Sequence, residues 1–479
     1  MNKKYRENLV LNIGSIYFKV QIFLLSFLLL FLVLTSPVNA NFFINNIFIV
    51  FLILASCIIY FLFKNNLKKN NFFLIHISTL FSLFLLNFLL ELKSMYFSPD
   101  NRVEQFEKKG VVWDKRKHNE VVDDLRKKTG KKNVYRVANP SGFIIGNIAE
   151  KINFNLNIVP LSNISDSTII HCNESGSWRN YKSDKHGFNN PNNIVKNNAK
   201  LNLLLLGDSF VEGVCVDEGN DIGSKLRDLN YNVLNLGKFG GGVLAANARF
   251  REYKYAYAFK PKFVIYFFYS FNDVADTVSE YKNVFYQKYL NDENFSQKLS
   301  TRQNEIDSFW KNFFKLTSKS DFLEKNPSLR IYGQYIDVSP KKLNYKLHLK
   351  KMFFLTNIRG FIYNSITSKM FNEEQKLSKE QLKILKKTFT NLKNEVNKID
   401  SKAKLVVVYL PDHSEIINKF FDKNKEINNL MKELDIETIN IYDAFTKTDI
   451  NNLFDFGLSG HFNSQGYKKL AEIIDQHFN

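Results

Sequence analysis

Apolar residues fall into three patterns along the chain. Over residues 1–95 they form long unbroken runs, at 20–37, 42–63 and 72–90. Each is close to the ~20 residues that a helix needs to cross hydrocarbon. From about residue 134 the runs shorten and turn β-prone, at 134–137, 156–159 and 167–170. From residue 201 onward, short apolar runs alternate with helix-period stretches. The runs predict strands at 201–206, 232–236, 263–268, 405–410 and 436–441, and the stretches predict helices at 221–229, 243–259, 415–434 and 464–477. Fully apolar strands alternating with helices indicate an α/β fold whose parallel sheet of five strands is covered on both faces. Asn189-Asn190-Pro191-Asn192-Asn193 is a turn cluster that sets the boundary of this domain near residue 200.

The flanks of the long runs orient them. Lys3, Lys4 and Arg6 precede the first, and Lys64, Lys68 and Lys69 follow the second. By the positive-inside rule both sit in the cytoplasm, and a third crossing puts everything after about residue 95 outside. This predicts an N-terminal region of three transmembrane helices over 1–95, in a multi-pass protein of a bacterial cytoplasmic membrane with the lipid bilayer as partner. Val38-Asn39-Ala40 resembles a signal-peptidase site, and cleavage there leaves the final side unchanged. A third run that stops short of spanning would instead leave the rest cytoplasmic. Residues 96–199 read as a charged stalk or surface helix over 104–131 followed by a small extracytoplasmic region.

Charge adds little. The 66 Lys+Arg against 47 Asp+Glu give +19, but no zinc cluster or RNA-binding aromatic motif accompanies it, so nucleic acid is not an expected partner. Of the three cysteines, Cys172 and Cys215 both fall in the outside portion. An oxidising compartment favours a disulfide between them over two buried thiols.

Candidate chemistry collects where a parallel sheet places it, at the carboxyl ends of strands. The first strand stops at Gly207 and delivers Asp208-Ser209 into a turn. The second ends at Gly237-Lys238-Phe239-Gly240-Gly241-Gly242, the third at Phe271-Asn272-Asp273, and His461 precedes the last helix. A neutral His accepts a serine proton, and backbone N–H groups with an Asn amide hold an oxyanion. Asp208 and Asp273 read as turn or capping residues, and His413 as a loop residue. The four ordered blocks, Gly207-Asp208-Ser209-Phe210, Asn235 to Gly240, Phe271-Asn272-Asp273 and Gly460-His461-Phe462-Asn463, resemble the SGNH (GDSL-type) hydrolase superfamily. The wider pattern resembles its membrane-anchored bacterial members. The resemblance implies a three-layer flavodoxin-like fold over 200–479, Ser209 as nucleophile, His461 as base, and the Ser209 and Gly240 amides with the Asn272 side chain as oxyanion hole. That superfamily usually carries Asp three residues before the histidine. Leu458 stands there instead, and the nearest upstream carboxylate, Asp455, is the expected third catalytic residue.

About 125 residues separate Asp276 from Asp400, where a crossover needs only about a dozen. A capping box at Ser378-Lys379-Glu380-Gln381 starts an amphipathic helix through Leu382, Leu385, Phe389, Leu392, Val396 and Ile399, the expected crossover. The earlier part of this insertion, with Trp310, Phe313 and Phe314, has three readings, a lid, an acceptor-binding subdomain or a surface against the membrane; the expectation is helical packing that partly overhangs the cleft. The expected function is a membrane-anchored serine esterase or related O-acyltransferase acting on ester-bearing envelope polysaccharide or lipid-linked glycan, with no cofactor or metal. The rivals are a non-catalytic glycan-binding or envelope-assembly protein, and a lipase or lysophospholipase.

Overall fold

A computed structural model describes residues 8–21, 56–96, 102–146, 157–318, 351, 356–358, 376–400, 402–419 and 422–479. The chain divides into two compact units. One comprises Met1–Asp100 with Lys341–Lys369, the other Asn101–Pro340 with Met370–Asn479.

In the first unit, helix Asn66–Tyr96 carries the third apolar run. Its stretch Asn66–Leu92 is the one described helix long and apolar enough, by length and composition, to cross a membrane. Phe81, Leu85 and Leu89 are exposed along it. The expected runs 20–37 and 42–63 lie largely outside the described residues. Two polar residues four apart on the helix, Asn87 and Glu91, are fully buried. Among their partners is Asn357 of the insertion, which donates its Nδ2 to Glu91 Oε2 (2.7 Å) and its backbone N–H to Asn87 Oδ1 (3.1 Å).

The second unit is built on two sheets. The smaller has strands β1 (Val134–Arg136), β2 (Thr168–Cys172) and β3 (Arg179–Lys182). The larger has β4 (Asn202–Leu206), β5 (Asn232–Asn235), β6 (Phe263–Tyr269), β7 (Lys404–Leu410) and β8 (Glu437–Asn440). Its order is β5-β4-β6-β7-β8, and every pairing is parallel. Side chains on a strand alternate between faces, so each strand feeds two cores. Leu204, Leu206, Tyr266, Phe268 and Val407 pack with Phe389, Leu392 and Val396 on one face. Leu203, Leu205, Ile265, Phe267 and Val406 pack with Phe462, Tyr467, Leu470 and Ile474 on the other. Truncating a fully buried residue such as Leu205 to Ala costs about 2–5 kcal/mol.

Local signals hold where they are strong. Ser378 caps helix Lys379–Asn397 in the expected capping box with Gln381. Three expectations change. The stretch 415–434 is two helices, His413–Asn418 and Asp422–Glu433. The first ends at Lys419, which takes a left-handed φ of 56° that a continuous helix excludes. The run 156–159 is irregular where described, with Ile158 buried and the Val159 N–H given to Gln297 Oε1. Of the two readings of 104–131, stalk or surface helix, the packing fits the surface helix, though in two pieces. These are helices Arg102–Lys108 and His118–Thr129. Phe106 and Trp113 bury against each other there, with Leu458 from the chain's C-terminal part packed on them.

Candidate active site

The order β5-β4-β6 makes the sheet's switch point at β4, and the crevice beyond its carboxyl end is where such sheets bind ligands. The turn after β4 needs glycine at position 207. Its φ is +155°, and a Cβ there would lie 2.5 Å from Val211 Cγ2. Asp208 then caps the short helix Ser209–Glu212, its Oδ1 accepting the Phe210 N–H at 3.0 Å. Burial pushes the Asp208 carboxyl above its ordinary range, against the opposing pull of the Phe210 N–H and of His461. Asp208 therefore orders the turn that presents Ser209.

His461 Nε2 lies 2.8 Å from Ser209 Oγ. Its Nδ1 faces both oxygens of Glu174 at 3.1 Å, and its backbone N–H donates to Glu174 Oε2 at 2.9 Å. A carboxylate only accepts, so it fixes the proton on Nδ1 and leaves the Nε2 lone pair for the serine hydroxyl. The imidazole also packs on Phe210, with centroids 4.8 Å apart. The carboxylate at Nδ1 is thus Glu174, where the sequence pointed to Asp455. Asp455 sits in the 3-10 turn Asp455–Gly457 and lines a polar surface cleft with Arg179, Asn463 and Ser464. Leu458, three residues before His461, packs its side chain against the buried Phe106 and Trp113. His413 braces the same loop, its Nε2 bonded to the Gly457 carbonyl at 2.8 Å and its ring against Phe454.

Glu174 reaches the site because β2 delivers it. A disulfide joins Cys172, the last residue of β2, to Cys215, six residues after Ser209, with Cα atoms 5.1 Å apart. Cys215 Sγ lies 3.3 Å from His461 Nδ1, and the Glu174 N–H meets Cys172 Sγ at 3.4 Å. Next to it, His171 is fully buried, and its Nδ1 accepts the Cys215 N–H. Burial holds this imidazole neutral, with its pKa pushed down to about 3. Among the described residues, Cys172, Glu174 and Cys215 are the one cluster with metal-ligand spacing, but the disulfide consumes both thiolates and leaves a single carboxylate. Sequence reasoning missed Glu174: only the folded path of β2 and the Cys172–Cys215 bridge bring the residue two beyond Cys172 close to Ser209.

The loop after β5 is held from beneath. Glu212, buried with Lys238 as its ion-pair partner, accepts the Phe239 N–H at 2.6 Å and the Tyr181 hydroxyl at 2.6 Å. Glu280 accepts the Gly242 and Ala245 N–H groups at 2.7 and 3.0 Å, and burial raises its pKa to about 7. Gly240 takes a φ of +73°, where a Cβ would collide with the Asn139 side chain at 2.6 Å. Among the described residues, neither the Ser209 N–H nor the Gly240 N–H has a hydrogen-bond acceptor. Asn272 follows β6 and donates Nδ2 to Asp276 Oδ2 at 2.8 Å and, at a longer 3.4 Å, to Asp208 Oδ2. Burial and the charge of Asp208 raise Asp276 to about 6. Asp273 instead receives the Tyr266 hydroxyl and the Tyr269 N–H.

No protein-family profile and no curated relative matches this chain. Among solved structures, it is similar to an alpha/beta hydrolase enzyme from the metagenome of Lake Arreo, Spain, at 10% identity and a TM-score of 0.29, covering 58% of this chain and 95% of that one. It is similar to a Clostridium thermocellum family 3 carbohydrate esterase at 12% identity and a TM-score of 0.27, over 58% and 94%. A third is an acetyl xylan esterase from the rumen bacterium Butyrivibrio proteoclasticus, at 9% identity and a TM-score of 0.26, over 63% and 65%. These likenesses are remote.

Proposed function

We propose that the protein is a membrane-anchored serine ester hydrolase of the SGNH type. The observation that carries this reading is the chain of contacts Ser209 Oγ to His461 Nε2 at 2.8 Å and His461 Nδ1 to Glu174 at 3.1 Å. Ser209 Oγ attacks the ester carbonyl carbon while its proton passes to His461 Nε2. Glu174 stabilises the imidazolium that results. The carbonyl oxygen, now negative, meets the free N–H groups of Ser209 and Gly240, and Asn272 can add its amide by giving up a carboxylate contact. His461 returns the proton to the leaving alcohol as the C–O bond breaks. Water, deprotonated by His461, then releases the acid and restores Ser209; a sugar hydroxyl in place of water makes the same machinery an O-acyltransferase.

The Cys172–Cys215 disulfide supports an oxidising compartment. Helix Asn66–Tyr96 and the basic flanks of the apolar runs support a cytoplasmic-membrane anchor with the hydrolase unit outside. In that position the accessible esters are acyl groups on envelope polysaccharide or lipid-linked glycan. The test is turnover of acetylated glycans and simple aryl esters by the full-length protein in detergent. Release of acid that disappears in Ser209→Ala supports the reading. A folded wild type that binds these glycans and turns over no ester favours a glycan-binding protein instead.

A further inference from the structure

Glu174 and His461 meet from two loops. Glu174 stands in the turn between β2 and β3. His461 stands in the irregular stretch between the 3-10 turn Asp455–Gly457 and the last helix, Ser464–Phe478. A third piece of chain holds both loops. It is the segment 102–116, made of helix Arg102–Lys108 and the irregular residues that follow it.

On the Glu174 side the grip is through the backbone of Asp114. Its N–H donates to the Gly176 carbonyl at 2.7 Å, and its carbonyl accepts Asn173 Nδ2 at 3.2 Å. Asn173 and Gly176 flank Glu174 in sequence. The fit is close, since a Cβ on Gly176 would lie 2.9 Å from Val111 Cγ1. On the His461 side the grip is through side chains. The fully buried Phe106 meets the Phe456 ring edge-on, with centroids 4.7 Å apart, and Leu458 packs on Phe106 and Trp113. Lys109 Nζ donates to the Phe456 carbonyl at 2.9 Å. Phe456 takes a left-handed φ of 55°. A residue with a Cβ keeps that conformation only where its surroundings hold it, and here one neighbour holds its ring and another its carbonyl.

We propose that segment 102–116 is a clamp that sets Glu174 against His461, with Phe106 and Lys109 as positioning residues for the reaction. This rests on the esterase reading for its chemistry, and it assigns a role to residues that reading does not use. One piece of chain thereby fixes two groups whose separation must hold to a fraction of an ångström. With the clamp loosened, His461 keeps its packing on Phe210 while the carboxylate drifts from Nδ1. Substrate then binds as before, and the step that charges the imidazole slows.

The test uses full-length protein in detergent with 4-nitrophenyl acetate. Phe106→Ala is expected to lower kcat about tenfold or more and Lys109→Met about threefold or more, each at nearly unchanged KM. Lys109→Arg should keep most of the rate, because a guanidinium can donate to the same carbonyl. Lys109 is exposed, so Lys109→Met should fold even where Phe106→Ala does not. The deciding readout is a double-mutant cycle with Glu174→Gln. A clamp that acts through Glu174 has nothing left to position in that background, so adding Lys109→Met should leave the residual kcat where it was. An equal loss in both backgrounds overturns the proposal, as does no loss in the wild-type background. Should no ester turn over, the esterase reading fails separately, and hydrogen exchange judges the clamp. Peptides covering 173–178 and 455–461 should then exchange faster together in Lys109→Met than in wild type. Faster exchange in one of them alone, or in neither, refutes it.

Discussion

On the proposed reading, Glu174 sets how strongly His461 can act as a base. A neutral Gln at that position would keep the shape while letting its amide donate to Nδ1, which turns the imidazole to the wrong tautomer. Glu174→Gln should therefore lower kcat by about 10²–10⁴-fold with a small change in KM, measured with an aryl ester. Asp455→Asn should stay within about threefold, the scale of an indirect surface change. Ser209, Gly240, Asn272 and His461 were legible because each sits in a short block at a strand or helix end. Glu174 was not, because its contact with His461 spans 287 residues and depends on the path of β2 and on a disulfide. Glu280 makes a separate prediction. Its folded pKa of about 7 stands above the ordinary 4.5. The folded state thus holds a proton that the unfolded state has lost, and stability falls as pH rises from about 4.5 through 7. The drop should be about 3 kcal/mol, and Glu280→Gln should flatten it in thermal melts taken across that range.

At the level of elements, the five-stranded sheet was readable because its strands are short apolar runs with helix-period stretches between them. The small sheet β1-β2-β3 was read as a region apart, and here it is part of the site. Tyr181 of β3 bonds Glu212 under the Gly240 loop, Phe239 packs on Val137, Ile169 and Tyr181, and β2 leads into Glu174. No local pattern encodes that packing, since polar strands of three to five residues carry little periodicity of their own. The disulfide is the covalent tie between this sheet and the serine turn, beside the Tyr181 and His171 hydrogen bonds. The double variant Cys172→Ser/Cys215→Ser should lose about 4 kcal/mol from opening a loop of sequence separation 43. Below its lowered melting temperature it should also show a smaller kcat at nearly unchanged KM, because Glu174 is no longer pinned beneath His461. A variant that melts early yet turns over at the wild-type rate would make the bridge a staple with no part in positioning.

For the whole molecule, the sequence separated an apolar N-terminal region from an α/β unit, and helix Asn66–Tyr96 is a described element of the first. The grouping of Lys341–Lys369 with that helix in one compact unit was not legible. It rests on contacts such as Asn357 with Asn87 and Glu91, more than 250 residues apart in sequence, which no window of local hydropathy can report. The exposed apolar face of this helix predicts that the protein stays with membranes through alkaline carbonate and leaves them only in detergent. Release by carbonate would reduce the helix to a peripheral contact. The most direct test of an outward-facing serine hydrolase is a membrane-impermeant fluorophosphonate applied to intact spheroplasts, with the labelled peptide identified by mass spectrometry. The expected result is one adduct on Ser209, absent in Ser209→Ala and slowed at least about a hundredfold in His461→Ala. An adduct that forms only after lysis, or none on the folded protein under any condition, would contradict it.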